Sequence, residues 1–162
     1  MTWLDRENPA RLAVELTIHE RMLLASLLEQ LVDVLFDDSD PAMQRLLPDA
    51  YRDDEEAAAE FRRFTAEGLA ERKIANARSV LDAVGNNVEG VQEPEDRVIV
   101  LDDVHAKQWL RALADLRLII ANRLGIERDD DEGRTDDAAV PLQQSYQWLG
   151  ELQESIVHAL DK

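Results

Sequence analysis

Cysteine is absent from this sequence. A disulfide framework, a thiolate metal site and a thiol redox switch are therefore excluded for this chain, and a reducing, cytoplasmic setting suits it. Positive charge is scarce. Against 35 Asp and Glu stand only 18 Lys and Arg, a net charge of −17. Proteins that neutralise phosphates need clustered cations, because counterion release supplies the affinity. The field of this chain repels DNA, RNA and anionic membranes, so neither nucleic acid nor membrane is an expected direct partner. No apolar run approaches the roughly 18 residues of a membrane span. The opening "MTWLDRENPARL" has mixed charge and no apolar centre, so it is not expected to act as a signal peptide. Aromatics make up 5% of the chain, and Trp109, Trp148, Tyr51 and Tyr146 read as core and rim packing rather than a stacking platform.

Chemical motifs are missing as well. There is no glycine-rich phosphate loop and no G-x-S-x-G elbow. "DDSD" and "DDDE" lack the alternating oxygen ligands and turn glycine of an EF-hand loop. His19, His105 and His158 show neither H-x-x-x-H nor E-x-x-H spacing. His19 and His105 each fall in the first turn of a long helix, and pairing of the strands before them would bring the two together. Even then a third and fourth ligand would be needed, with Glu15 or Glu20 to hand. No cofactor, no metal and no catalytic residue is implied.

What remains is a globular composition. With 162 residues, 45% apolar and 33% charged, the chain can fold as one domain around a real core. "RLAVELT" (Arg11 to Thr17) alternates like a short strand. Thr17 and Glu20 then have capping-box spacing, and Leu24, Leu27, Leu28, Leu31 and Leu35 follow at helical intervals. Asp40 and Pro41 start a short helix through Leu47, which Pro48 ends. Asp53 and Glu56 open the next helix, with Ala57, Phe61, Phe64 and Gly68 on one side. Beyond Gly68 the apolar side moves to Leu69, Ala77, Val80 and Val84, which predicts a bend or break near Thr65 to Gly68. "GNNVEGVQEPED" is a loop, and "RVIVL" (Arg97 to Leu101) is a second strand. Asp102 or Asp103 caps a helix that Gly125 terminates. Residues 127–141 form an acidic, mobile loop. A last helix, from about Leu142 to Leu160, carries Leu142, Tyr146, Leu149, Ile156 and Leu160 as its buried stripe.

The expected fold is therefore mainly α. It is a single-domain bundle of five or six helices spanning 1–162, with room for a small two-stranded β pair. "VELTIHERMLLASLLEQLVDVL" and "IVLDDVHAKQWLRALADLRLII" share a strand–cap–helix grammar. If the resemblance is spatial, the strands pair and the long helices lie side by side on them.

Arg117 is the residue that most needs an explanation. It shares the apolar face of Leu113, Leu116, Ile120, Ala121 and Leu124, while Arg111, Asp115 and Asn122 point the other way. Its helical neighbours Leu113, Ala114, Ile120 and Ala121 cannot neutralise it. A guanidinium stays charged, so a carboxylate or a set of carbonyls must come from elsewhere. Glu60 is the first candidate and Asp54, with Asp49 and Asp53, the second. Gln153, polar on an apolar stripe, can share the network. An internal ion pair that fixes helix docking is the simpler reading, and truncation should then cost about 3–5 kcal/mol. The rival reading is a pocket at Arg117 for a small anionic ligand or substrate. A third reading is direct DNA binding. It would use Arg62, Arg63, Arg72, Lys73 and Arg78, which spread around a helix axis rather than gather on a face.

Three strings, "LLPDAYRDDEEAAAEFRRFT", "WLRALADLRLIIANRLG" and "YQWLGELQESIVHAL", resemble an actinobacterial family of uncharacterised proteins. Its genes often lie beside that of the Clp-protease adaptor ClpS. The resemblance runs from about Leu12 to Leu160. Pro48, Tyr51, Asp54, Glu60, Arg62, Trp109, Arg117, Arg123 and Gln153 fall in its characteristic strings. It implies a mostly helical fold and, from labels on some members, a role as a transcriptional regulator; it transfers no catalytic or binding residue. A regulator that senses oxidants through cysteine could not lend that mechanism to this chain. With the charge, the resemblance points to a regulatory or adaptor protein that binds another protein, basic in character.

Overall fold

The structure, a computed structural model, describes residues 2–4, 11–36, 42, 46, 55–85, 97–126 and 133–161; the side chains of 3, 4, 55–67 and 97 lie outside the description. Helix α1 (Ile18–Leu35) begins at Thr17, whose hydroxyl accepts the Glu20 N–H at 3.1 Å while Glu20 Oε1 accepts the Thr17 N–H at 2.9 Å. This reciprocal cap is the one the spacing predicts, and it satisfies two orphan donors of the first turn. Leu24, Leu27, Leu28, Leu31, Val34 and Leu35 form the buried face.

Helix α2 (Glu55–Gly85) runs unbroken for 31 residues, so of the bend or break expected near Thr65 to Gly68 the break is not there. At about 1.5 Å per residue it spans roughly 46 Å, far longer than α1. Two halves of so long a helix need not show one face to one neighbour, and the apolar side can move without a kink. Ile74, Ala77, Val80 and Val84 are its buried residues in the second half.

Helix α3 (Asp103–Leu124) is capped by Asp102, whose carboxylate accepts the His105 N–H at 2.8 Å. That backbone hydrogen bond, with a second from the His105 ring, lowers the Asp102 pKa. Gly125, at φ 74°, ends the helix in the left-handed conformation, and Ile126 N–H returns to Ala121 O at 2.9 Å. Trp109 and Leu113 are fully sealed in the core. Helix α4 (Val140–Leu160) follows a single 3-10 turn at Asp137–Ala139 and starts two residues earlier than expected. Proline in its first turn loses no hydrogen bond there. Its most buried positions are Leu149, Leu152, Ile156 and Ala159, with Leu142, Tyr146 and Leu160 at the margin. In the acidic segment, Arg134 pairs with Asp136 at 2.9 Å.

Among the described residues there are thus four α-helices. Six were in view with a broken α2. The continuity of α2 removes one, and the short helix at 41–47 lies outside the described residues apart from Ala42 and Leu46. Strands β2 (Leu12–Leu16) and β3 (Arg97–Leu101) pair antiparallel, Leu12 opposite Leu101 and Leu16 opposite Arg97. A third strand, β1 (Thr2–Leu4), joins the other edge of β2 and makes the order β1-β2-β3. Three residues carry no readable alternation. The open edge of β2, and the Thr2–Ser155 hydroxyl contact at 2.8 Å, make this strand. Leu12, Val14, Leu16, Ile99 and Leu101 turn inward to the helices, while Val98 and Val100 are half exposed on the other face.

Antiparallel pairing has a consequence for the two helices that follow the strands. It places the start of α1 beside the beginning of β3 and the start of α3 beside the beginning of β2. His19 and His105 therefore sit at opposite ends of the sheet, roughly 14 Å apart along the strands at about 3.4 Å per residue, and are not brought together. Helix α1 packs chiefly on α2, and α3 on α4 and α2; the contact between α1 and α3 is the lesser one.

Candidate functional site

Arg117 lies where α3 meets α4. It is half-buried rather than sealed. Its guanidinium stacks on the Tyr146 ring, 4.7 Å from the centroid, and Nη1 donates to Gln153 Oε1 at 3.2 Å. The guanidinium passes over Gly150, where a Cβ would stand 3.5 Å from the Arg117 Cζ, an ordinary contact. Tyr146, Gly150 and Gln153 follow one another at i, i+4 and i+7, so a single stripe of α4 receives the side chain. Arg117 Nε is buried without a partner among the described residues. No carboxylate pairs with Arg117 among the described residues. Glu60 is helical, but its side chain, like the whole of Asp54, Asp49 and Asp53, lies outside them. A half-exposed guanidinium on an aromatic face keeps part of its hydration, which relaxes the need for a buried acid.

The deeply buried charges are others. Asp115, expected to face solvent with Arg111, is 3% exposed. Helix α3 is covered on two sides, by α4 and by α2, so part of its polar face is interior. Lys73 of α2 donates to Asp115 Oδ1 at 2.6 Å, and Oδ2 is left without a partner among the described residues. Burial pushes the Asp115 pKa up, against the pull of Lys73. Arg21 on α1 is 2% exposed, with Nε and Nη1 unpartnered. Periodicity could not reveal the Lys73–Asp115 pair, because its members are 42 residues apart on different helices.

Arg117 lines neither of two clefts that described residues build. One, of about 440 Å³, lies between α2 and α3 and takes in Lys73 and Asp115. The other, of about 410 Å³, lies between the first turns of α1 and α4 and is mostly apolar, with Leu23, Pro141 and Trp148 in its wall. Helices α1 and α4 share no broad packing there. The gap is spanned by one hydrogen bond, from Trp148 Nε1 to Glu20 Oε2 at 2.8 Å. Glu20 thus uses one carboxylate oxygen to cap α1 and the other to hold the indole. The sequence marks Glu20 as a cap; its second role depends on a residue 128 positions away.

Among the described residues no group of three or more His, Asp or Glu could hold a metal ion. No helix among them is long and apolar enough to cross a membrane. No curated protein and no solved structure matches the chain. The sequence model of the family described as a domain of unknown function, DUF2017, matches residues 2–160, so the chain belongs to that family.

Proposed function

We propose that this protein is a cytoplasmic regulatory or adaptor protein that works by docking a basic, amphipathic helical segment of another protein into the α1–α4 groove. The observation that carries the reading is the Trp148 indole, held by Glu20 at the wall of an open apolar groove. Tryptophan side chains fixed before binding make strong anchors, because little conformational freedom is lost on association. Leu23, Pro141 and Trp148 offer an apolar floor to one face of a partner helix. The acidic field, net −17, attracts the other, basic face and speeds encounter. A regulatory role exerted through a protein partner also agrees with the regulator labels and the ClpS-neighbouring genes that the sequence resemblance implies.

Affinity capture from a bacterial lysate, with wild type and Leu23→Asp side by side, tests it. Leu23 is 37% exposed, so the substitution should leave the fold intact. The expected result is a basic partner held by wild type, released by moderate salt and lost with Leu23→Asp. A partner captured equally by both, or held more tightly as salt is added, would overturn the reading.

A further inference from the structure

The α2–α3 cleft is a different surface with the opposite electrostatic character. Leu69, Arg72, Lys73 and Asn76 come to it from one stripe of α2, at i, i+3, i+4 and i+7. Arg111, Ala114 and Asp115 face them from α3, at i, i+3 and i+4. Three cations and one acid line the cleft, in a chain with nearly two acids for every base. Lys73 is taken up by Asp115. Arg72 and Arg111 are exposed and make no ion pair with any described residue. The helical neighbours of Arg72, namely Gly68, Leu69, Ala75 and Asn76, include no acid. The one acid at helical spacing from Arg111 is Asp115, which is turned to Lys73. Two exposed guanidinium groups that make no ion pair among the described residues thus line one cleft of an acidic protein. At its base lies a buried carboxyl whose Oδ2 has no partner.

We propose that this cleft binds a small organic dianion, a phosphate monoester or a dicarboxylate. Arg72 and Arg111 take the anionic group, since planar guanidinium groups match carboxylate and phosphate oxygens with paired hydrogen bonds. Asn76 adds an amide that can donate or accept, and Leu69 and Ala114 meet the carbon skeleton. The Lys73–Asp115 pair anchors the floor and fixes the spacing of the two helices. The volume, about 440 Å³, falls within the range of small-molecule sites. The net charge of the chain suppresses anion binding over the rest of the surface, so a saturable anion signal has no diffuse background. This site is independent of the α1–α4 groove, and either can fail without the other.

The test is a titration of the amide NMR spectrum with inorganic phosphate, phenyl phosphate and succinate, at constant ionic strength, up to about 20 mM. Wild type is compared with Arg72→Gln, Arg111→Gln and, as control, Arg78→Gln, an exposed arginine of α2 outside the cleft. The expected result is saturable shifts confined to residues 69–76 and 111–115. Affinity should fall about tenfold or more in each cleft variant and stay unchanged in the control. Tighter binding of phenyl phosphate identifies the ligand as a phosphate monoester, and tighter binding of succinate as a dicarboxylate; either supports the site. Three results would overturn it: no saturable shift with any of the three probes, binding that survives both cleft substitutions, or equal weakening by Arg78→Gln.

Discussion

Replacing Lys73 by methionine keeps most of the side-chain volume and removes the cation paired with Asp115. The carboxylate then stands in a site where its side chain is 5% exposed. Breaking a buried ion pair from one side costs about 3–5 kcal/mol, because the remaining charge is left uncompensated. Lys73 is 17% exposed, so water reaches its ammonium and the loss falls just below that range, about 2–3 kcal/mol at neutral pH. The loss also depends on pH with a definite sign. Desolvation holds the Asp115 pKa above its ordinary value, and the Lys73 hydrogen bond and charge restrain it. Without Lys73 the folded-state pKa rises further. A carboxyl with a raised folded pKa lends full stability below the unfolded value, about 3.9, and that contribution drains away as pH rises through the folded pKa. The variant should therefore differ little from wild type near pH 4 and progressively more toward pH 8, by the linkage between protonation and folding. Urea unfolding followed by circular dichroism reads this directly. With a slope of about 2 kcal/mol per molar, the midpoint at neutral pH should fall by roughly 1–1.5 M. Adding Asp115→Leu should restore most of the loss, since an apolar pair of similar volume replaces a buried ion pair at little cost. A deficit that is the same at pH 4.5 and 8, or a double variant as weak as Lys73→Met, would refute the reasoning.

Arg21→Met should hold stability level or raise it by about 1 kcal/mol, because a buried guanidinium with Nε and Nη1 unpartnered among the described residues is exchanged for an apolar side chain; a clear loss in thermal melts would reveal an acid on Arg21. Arg117→Ala should cost about 1–2 kcal/mol, the worth of one cation–π contact and one amide hydrogen bond. A loss above 3 kcal/mol would restore the acidic partner sought in Glu60 or Asp54. Gly150→Ala should stabilise by about 0.5–1 kcal/mol, since a methyl meets Arg117 at ordinary contact distance in the middle of a helix; destabilisation in urea would show that the guanidinium needs the gap. Thr17→Ala should cost about 1 kcal/mol by loss of the cap. Glu20→Ala should match that and also shift tryptophan emission, through release of Trp148; identical spectra for the two variants would break the link between cap and indole.

Local rules were enough for the ends of the helices. Thr17 with Glu20, Asp102 and Gly125 each work within a few residues of backbone, where hydrogen-bond geometry depends on neighbours along the chain. The alternation in β2, the strand at β3 and the leucine face of α1 were legible for the same reason. That the chain belongs to a family without an established function was legible too, from strings spread over most of its length.

Other features depend on residues far apart in the chain. Arg117 was noticed on its helix, but what it touches, Tyr146 and Gln153, follows from how α3 crosses α4. Asp115 reads as solvent-facing on α3 alone and becomes interior because α2 covers it and brings Lys73. The strand pair was foreseeable, yet its antiparallel sense carried His19 and His105 to opposite ends of the sheet. A helical or strand period records only which face a residue occupies. Whether that face meets solvent, an aromatic ring or an opposite charge is set by the neighbouring element. In this protein that neighbour assembles the α2–α3 cleft and the Trp148 groove, neither of which is written in any contiguous stretch of sequence.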